Sequence, residues 1–309
     1  STLIYNRPAG SAVGPEWSGT AGAAGAGVPQ HVIVQQGTVT MPADSRTVPG
    51  NLTFDDGGMA LTSGDLTVKG VLALGASRIT TAGNRVSLPA GASLTRSGGG
   101  YIVGNLQRAV PAGASAPTFE IGDEANYTPV ALSFGSGTGA GDLAAGVTAG
   151  VQPNLGSSLV SQTKYVRRYW TFANSGVTGA YDATFQFVSG DLQGGADPGI
   201  FIVGQYDGGD WSYPTVGTKT STSTQILGAG GFGDIAIGQT TGRTITASAG
   251  PNGAIDPAGE VSVVNGGSLA FTMTPAMGYH LDSLYVDEAP VTPVSPYTFM
   301  NVTAPHTIR

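Results

Sequence analysis

The chain has 309 residues, enough for two or three domains, and its 13 basic and 20 acidic residues give a net charge of −7. Charged residues make up only 11% of it while 40% is apolar, which excludes the low-hydrophobicity, high-charge signature of disorder, and its basic residues are too scattered for a nucleic-acid surface. Without cysteine it has no disulfides or thiolate metal sites, and no apolar run of about 20 residues offers a membrane-spanning helix. The 50 glycines, about twice the usual share, accompany abundant Thr and Val and few good helix formers, so the expected fold class is all-β.

Residues 1–30 read as an extended arm. Pro8, Gly10, Gly14 and Pro15 break it, and Gly19-Thr-Ala-Gly-Ala-Ala-Gly-Ala-Gly resembles a flexible linker. Leu3-Ile4-Tyr5 is apolar and can dock as a strand, either on its own chain or on the open sheet edge of another copy. The opening on Ser1 rather than Met is what removal of a signal peptide would leave.

Residues 31–106 carry a loose repeat. His31-Val-Ile-Val and Gly37-Thr-Val-Thr-Met are followed by Asn51-Leu-Thr-Phe and Gly58-Met-Ala-Leu. Next come Asp65-Leu-Thr-Val and Gly70-Val-Leu-Ala-Leu, then Arg85-Val-Ser-Leu, Ala92-Ser-Leu-Thr and Tyr101-Ile-Val. Leu66 and Val86 lie 20 positions apart, and Leu72 and Leu94 lie 22 apart. Short strands with Gly or Asn corners at this period predict a β-solenoid-like region; an antiparallel meander is the other reading. Asp65 and Arg85 would stack as a rung-to-rung ion pair.

Residues 107–240 predict longer strands, among them Thr128–Phe134, Tyr165–Phe172, Ala183–Val188, Gly199–Tyr206 and Gly233–Gly238. The alternation of Phe185 and Phe187 with Thr184, Gln186 and Val188 marks strands with one buried face, and the set predicts a central β-sandwich. Trp170 falls in its core. Lys164, Arg167 and Arg168, the densest basic spot, read as solvated charges on a strand.

Residues 243–309 predict a small β module of short strands cut by turns: Arg243-Thr-Ile-Thr-Ala, Gly253-Ala-Ile-Asp-Pro, Asn265-Gly-Gly-Ser-Leu-Ala-Phe-Thr-Met, Gly278 through Asp287, and Tyr297 through Ile308. This pattern resembles the divergent InlB B-repeat family of bacterial surface proteins. The resemblance implies an extracellular spacer or attachment unit without catalysis. Glu288 stands where the family usually has Gly in a turn, which leaves the turn type open. The chain stops at Arg309, where the family pattern runs on, so the last strand is expected to be short and its edge unfilled. More loosely, Val103-Gly-Asn-Leu-Gln-Arg, Tyr127-Thr-Pro-Val, Arg168-Tyr-Trp-Thr-Phe and Phe232-Gly-Asp-Ile-Ala-Ile-Gly resemble a recurrent module of large bacterial surface proteins, in which a short solenoid leads into a sandwich.

Chemistry finds few footholds. His31, His280 and His306 are the only histidines, none sits near a Gly-x-Ser-x-Gly elbow, and no catalytic residue or cofactor is expected. Three isolated histidines and no cysteine argue against zinc; calcium has candidate ligands at Asp55 with Asp56 and at Asp207 with Asp210, although both fit ordinary Asp-Gly turns. Glycan contact would use Trp211, Tyr206 and Tyr213; Trp17 is a further exposed-aromatic candidate. Assembly with copies of itself or other surface proteins would use Leu3, Ile4 and Tyr5 at one end and Thr307 and Ile308 at the other. The expected function is a non-catalytic structural or adhesive protein of the bacterial cell surface, a stalk or filament subunit. A glycan-binding surface module is the alternative, and a polysaccharide-degrading solenoid enzyme a remote one.

Overall fold

A computed structural model describes residues 1–17, 27–42, 44–263 and 267–309. The Gly-rich run from Gly19 and the Asn265-Gly266 turn lie outside the described residues. The fold is all-β: among the described residues every helical segment is a three-residue 3-10 turn.

The N-terminal region is a three-faced solenoid. On its first face the strands Thr2–Asn6, His31–Gln36, Leu52–Phe54, Val71–Leu74 and Ser93–Arg96 stack in parallel. The second face stacks Ser11–Ala12, Thr38–Thr40 and Gly58–Ala60 with the first part of Ile79–Leu88. The third face joins Arg46–Val48 and Leu66–Val68 to the second part of Ile79–Leu88. Parallel pairing rules out the meander. Leu66 sits directly on Val86, and Leu72 on Leu94, as their spacing predicts. Inward columns follow: Leu3, Val32, Leu52, Leu72 and Leu94 on the first face, and Val39, Met59, Ile79, Ile102 and Ile121 on the second. Each fully buried aliphatic side chain in such a column contributes about 1.5–3 kcal/mol.

Of the expected N-terminal arm, residues 1–17 are docked on the fold. Residues 1–17 build the first coil of the solenoid, and Trp17, fully buried, covers the end of the third face. Its carbonyl accepts a 2.9 Å hydrogen bond from Nε of Arg46, a residue that stands in the column later filled by Leu66 and Val86.

Side-chain ladders pin the corners at the same period. His31 Nδ1 accepts the Asn51 amide, and Asn51 Oδ1 accepts the Val71 amide. Ser45 Oγ accepts the Asp65 amide, and Asp65 Oδ1 accepts the Arg85 amide. The Arg85–Asp65 ion pair forms at 3.1 Å on the solvated surface, where it contributes under about 1 kcal/mol. Gly104, at φ +113°, is needed where Ile102–Val110 turns its corner: a Cβ there would lie 2.0 Å from Thr81 Oγ1.

The solenoid passes into the sandwich without a break. Ile102–Val110 runs parallel to Ile79–Leu88 on one side and antiparallel to Gly141–Ala149 on the other. That sheet continues through Val160–Ser175, Asp234–Thr240, Phe201–Tyr206 and Trp211–Ser212. Facing it is a second sheet in the order Thr118–Phe119, Val130–Phe134, Tyr181–Gln186, Ser223–Ala229, Thr215–Thr220. The boundary expected at 106/107 therefore falls inside one strand, and a single core runs from Tyr5 to Ile237. Trp170 and Phe185, 5.2 Å apart at their ring centres, anchor its sandwich half.

The C-terminal module has its own core, built on Ile245, Phe271, Leu284, Phe299, Val302 and Ile308. One sheet runs Gly259–Val263, Arg243–Ala247, His306–Ile308, Leu284–Val286, Ala289–Val291; the other runs Gly253–Asp256, Leu269–Pro275, Tyr297–Phe299. Asp287 and Glu288 form the two-residue turn before Ala289, with φ of +49° and +65°. Both values belong to a type I′ turn, in which Asp is tolerated and Glu is strained. Glu288→Gly is expected to stabilise this module by about 0.5 kcal/mol, the relieved left-handed strain exceeding the added chain entropy. Urea unfolding of the two proteins side by side measures it, and a loss of stability would contradict the turn assignment.

Candidate functional site

The most organised polar cluster lies where solenoid and sandwich meet. Val166, Arg168, Trp170 and Phe172 share one parity on the long strand Val160–Ser175, so all four point into the core. Arg168 is 1% exposed, which corrects its reading as a solvated charge; Arg167, of the other parity, is exposed, and so is Lys164, which precedes the buried run on the far side of a register break. The guanidinium forks onto Asp191 at 2.6 and 2.9 Å. Its remaining terminal nitrogen donates to Asp123 Oδ2 and to Thr128 Oγ1, both at 2.9 Å. Burial alone would lower the Arg168 pKa, but the bonds and charge of Asp191, then of Asp123, hold it above its ordinary value.

The two carboxylates fix backbone in turn. Asp191 Oδ2 accepts the Val188 amide, and Asp123 Oδ1 accepts those of Ala125 and Asn126. Trp170 Nε1 donates to the Thr128 carbonyl at 3.2 Å. From the solenoid side, the Tyr101 hydroxyl donates to the Asp123 carbonyl at 2.9 Å. Arg78 donates to the Glu124 carbonyl and lies 5.1 Å above the Tyr101 ring; Arg96 lies 4.0 Å above the Tyr127 ring. The Tyr127 hydroxyl bonds Glu120, and burial, followed by that carboxylate, pushes its pKa up. With its fork filled by protein oxygens, Arg168 is arranged to clasp the 123–128 segment between the two halves of the molecule. The shared parity of Arg168 with Val166, Trp170 and Phe172 was the sequence signal for this cluster; Asp123 and Asp191 carried none, because tertiary folding alone brings them to it.

The residues singled out from sequence are dispersed. His31 caps a solenoid corner, His280 lines an open cleft of about 540 Å³ in the C-terminal module with Asp282 and Arg309, and His306 Nδ1 lies 2.6 Å from Asp287 Oδ2. Asp55 and Asp56 are exposed at a solenoid corner. Asp207 Oδ1 accepts the amides of Asp210 and Gly209, which hold its carboxyl below the usual range, and so serves its own turn. Among the described residues no group of three or more His, Asp or Glu side chains converges as a metal site would require.

The aromatic candidates lie together on the outer side of the sandwich. Trp211 rests against Gly204, where a Cβ would come within 2.8 Å of the indole, and its Nε1 donates to Ser157 Oγ. The Tyr213 hydroxyl accepts the Leu159 amide at 2.7 Å. Tyr206 and Trp211 have centroids 5.2 Å apart but are tilted by 40°, so they do not form one flat platform. Trp17, also considered as an exposed aromatic, is buried.

The two assembly candidates differ. Leu3, Ile4 and Tyr5 form a strand that, among the described residues, is paired on one side only, and Ile4 is 53% exposed. Thr307 and Ile308, expected at an unfilled edge, lie in an interior strand. Arg243–Ala247 pairs them on one side and Leu284–Val286 on the other, so their backbone offers no open edge.

Comparison with family models, with curated proteins and with solved structures returned no match.

Proposed function

We propose that this chain is a non-catalytic, load-bearing scaffold of an extracellular bacterial surface protein, serving as a stalk or a fibre subunit. The observation that carries the reading is the unbroken sheet by which the solenoid becomes the sandwich, over one shared core and locked by the Arg168 clasp. Such a joint transmits load through backbone ladders and leaves no hinge between the two halves. The low charge, the absence of cysteine and the B-repeat-like module agree with an exported role.

Two measurements test it. Immunogold labelling of intact source cells is expected outside the envelope, with loss of label on adding protease; a purely cytosolic pool would sink the reading. In single-molecule pulling, residues 1–240 are expected to yield as one high-force event, with the C-terminal module yielding separately. Yielding of the solenoid alone at low force would count against a load-bearing joint.

A further inference from the structure

One corner of the C-terminal module holds the groups of a reaction that needs no partner. Gly250-Pro251-Asn252-Gly253 turns between Arg243–Ala247 and Gly253–Asp256, and every residue from Ser248 to Ala254 is exposed. Asn252 holds φ at +65°, a left-handed value that asparagine tolerates. Among the described residues its carboxamide makes no hydrogen bond, whereas those of Asn51, Asn84, Asn105 and Asn174 are tied to backbone. Gly253–Asp256 is an edge strand. The Ala276 amide donates to the Asn252 carbonyl at 2.8 Å, which makes Gly253 and Pro275 a non-hydrogen-bonded pair. The Gly253 N–H therefore points away from Leu269–Pro275, towards the open edge. A backbone nitrogen outside the ladder thus follows a free carboxamide, with no Cβ to crowd their approach. Asn252 and Asn265 are the asparagines followed by glycine, and Asn265 lies outside the described residues.

We propose that Asn252 is a self-modification site, where the Gly253 nitrogen closes on the Asn252 carboxamide and converts the residue irreversibly to aspartate and isoaspartate. The nitrogen attacks Cγ and forms a five-membered succinimide. The Cγ–Nδ2 bond breaks, and ammonia leaves with the proton that Gly253 gives up. Water then opens the ring. Attack at Cγ gives ordinary aspartate; attack at the main-chain carbonyl gives isoaspartate, whose chain runs through the side-chain carbon. Either product adds a negative charge to the wall of the open cleft that Asp282 also lines. Isoaspartate does more, because it lengthens the main chain by one carbon at the corner. That displaces the Ala276–Asn252 bond and the Gly253–Pro275 register, and it loosens the hold on Ile255, which the same short strand carries into the module core. The solenoid–sandwich core is separate and is left intact. The C-terminal module therefore weakens with age while the rod persists, a change that goes beyond the scaffold reading and does not rest on it.

The test keeps the whole folded protein warm at neutral pH and follows residue 252 by peptide mapping, with fragmentation that separates it from Asn265. The expected result is the mass shift of NH2 replaced by OH at residue 252, with part of the product labelled by isoaspartyl methyltransferase. Conversion is expected to run several times faster there than at Asn301, which is exposed but precedes the buried, branched Val302. Gly253→Ala is expected to slow conversion several-fold. Its φ is not left-handed, and an added Cβ would meet nothing nearer than the Thr274 carbonyl oxygen at 3.6 Å, so that variant keeps the fold. Asn252→Asp is expected to leave the unfolding transition of the module in place, while aged protein rich in isoaspartate unfolds earlier by circular dichroism. Conversion of Gly253→Ala at the native rate overturns the proposal. So does an Asn252 that stays intact in the folded protein while the guanidinium-unfolded chain converts.

Discussion

Replacing Arg168 with methionine will destabilise the solenoid–sandwich unit by about 3–5 kcal/mol, the cost of breaking a buried charge cluster by removing one partner. Methionine fills much of the space but supplies none of the donors that Asp191, Asp123 and Thr128 now receive. Asp191, buried, and Asp123, partly buried, would be left as carboxylates without the cation they share. Their own backbone partners, Val188 for one and Ala125 with Asn126 for the other, offset only part of that charge. Adding Asp191→Asn to Arg168→Met should recover about 1–2 kcal/mol, because the amide keeps an oxygen for Val188 and carries no charge to strand. Denaturant unfolding of the single and double variants gives both numbers. A loss below about 1 kcal/mol for Arg168→Met is what a solvated strand charge would show, and it would remove the clasp from the account.

The repeat was readable because a stacked coil repeats its own chemistry. Leu66 over Val86, and Asp65 beside Arg85, follow from a 20-residue turn that a parallel ladder enforces. Period-two alternation likewise placed Phe185, Phe187 and Trp170 inside the sandwich. What escaped the sequence were relations between distant segments. Residues 1–17 look like a linker because Pro8, Gly10 and Gly14 dominate their composition, yet Leu3 and Tyr5 stack on Val32 and Val34 of the next coil. Arg168 resembles its exposed neighbour Arg167 until strand parity is counted. Thr307 and Ile308 look terminal in sequence but lie between two strands, since Arg243–Ala247 returns from the start of the module to pair with them.

Leu72→Ala and Phe271→Ala should separate the molecule into two cooperative units. Leu72 is fully buried between Leu52 and Leu94, and Phe271 is fully buried in the C-terminal core. Truncating either side chain removes its transfer energy and leaves a cavity, about 2–5 kcal/mol for the leucine and 3–5 for the phenylalanine. All three tryptophans, Trp17, Trp170 and Trp211, lie before residue 240, so tryptophan fluorescence reports the solenoid–sandwich unit alone. Leu72→Ala is therefore expected to lower the fluorescence midpoint of Trp17 in the first coil and of Trp170 in the sandwich together, because one core spans both. Phe271→Ala is expected to leave that midpoint in place while circular dichroism reveals an earlier transition from the C-terminal module, whose core is separate. Retention of the Trp170 signal after the first coil has melted would show that the shared strand Ile102–Val110 does not couple the two halves. In that case the load path would break at the solenoid. A shift of the tryptophan midpoint by Phe271→Ala would show the opposite error, an energetic coupling across residues 240–243 that the two separate cores do not lead one to expect.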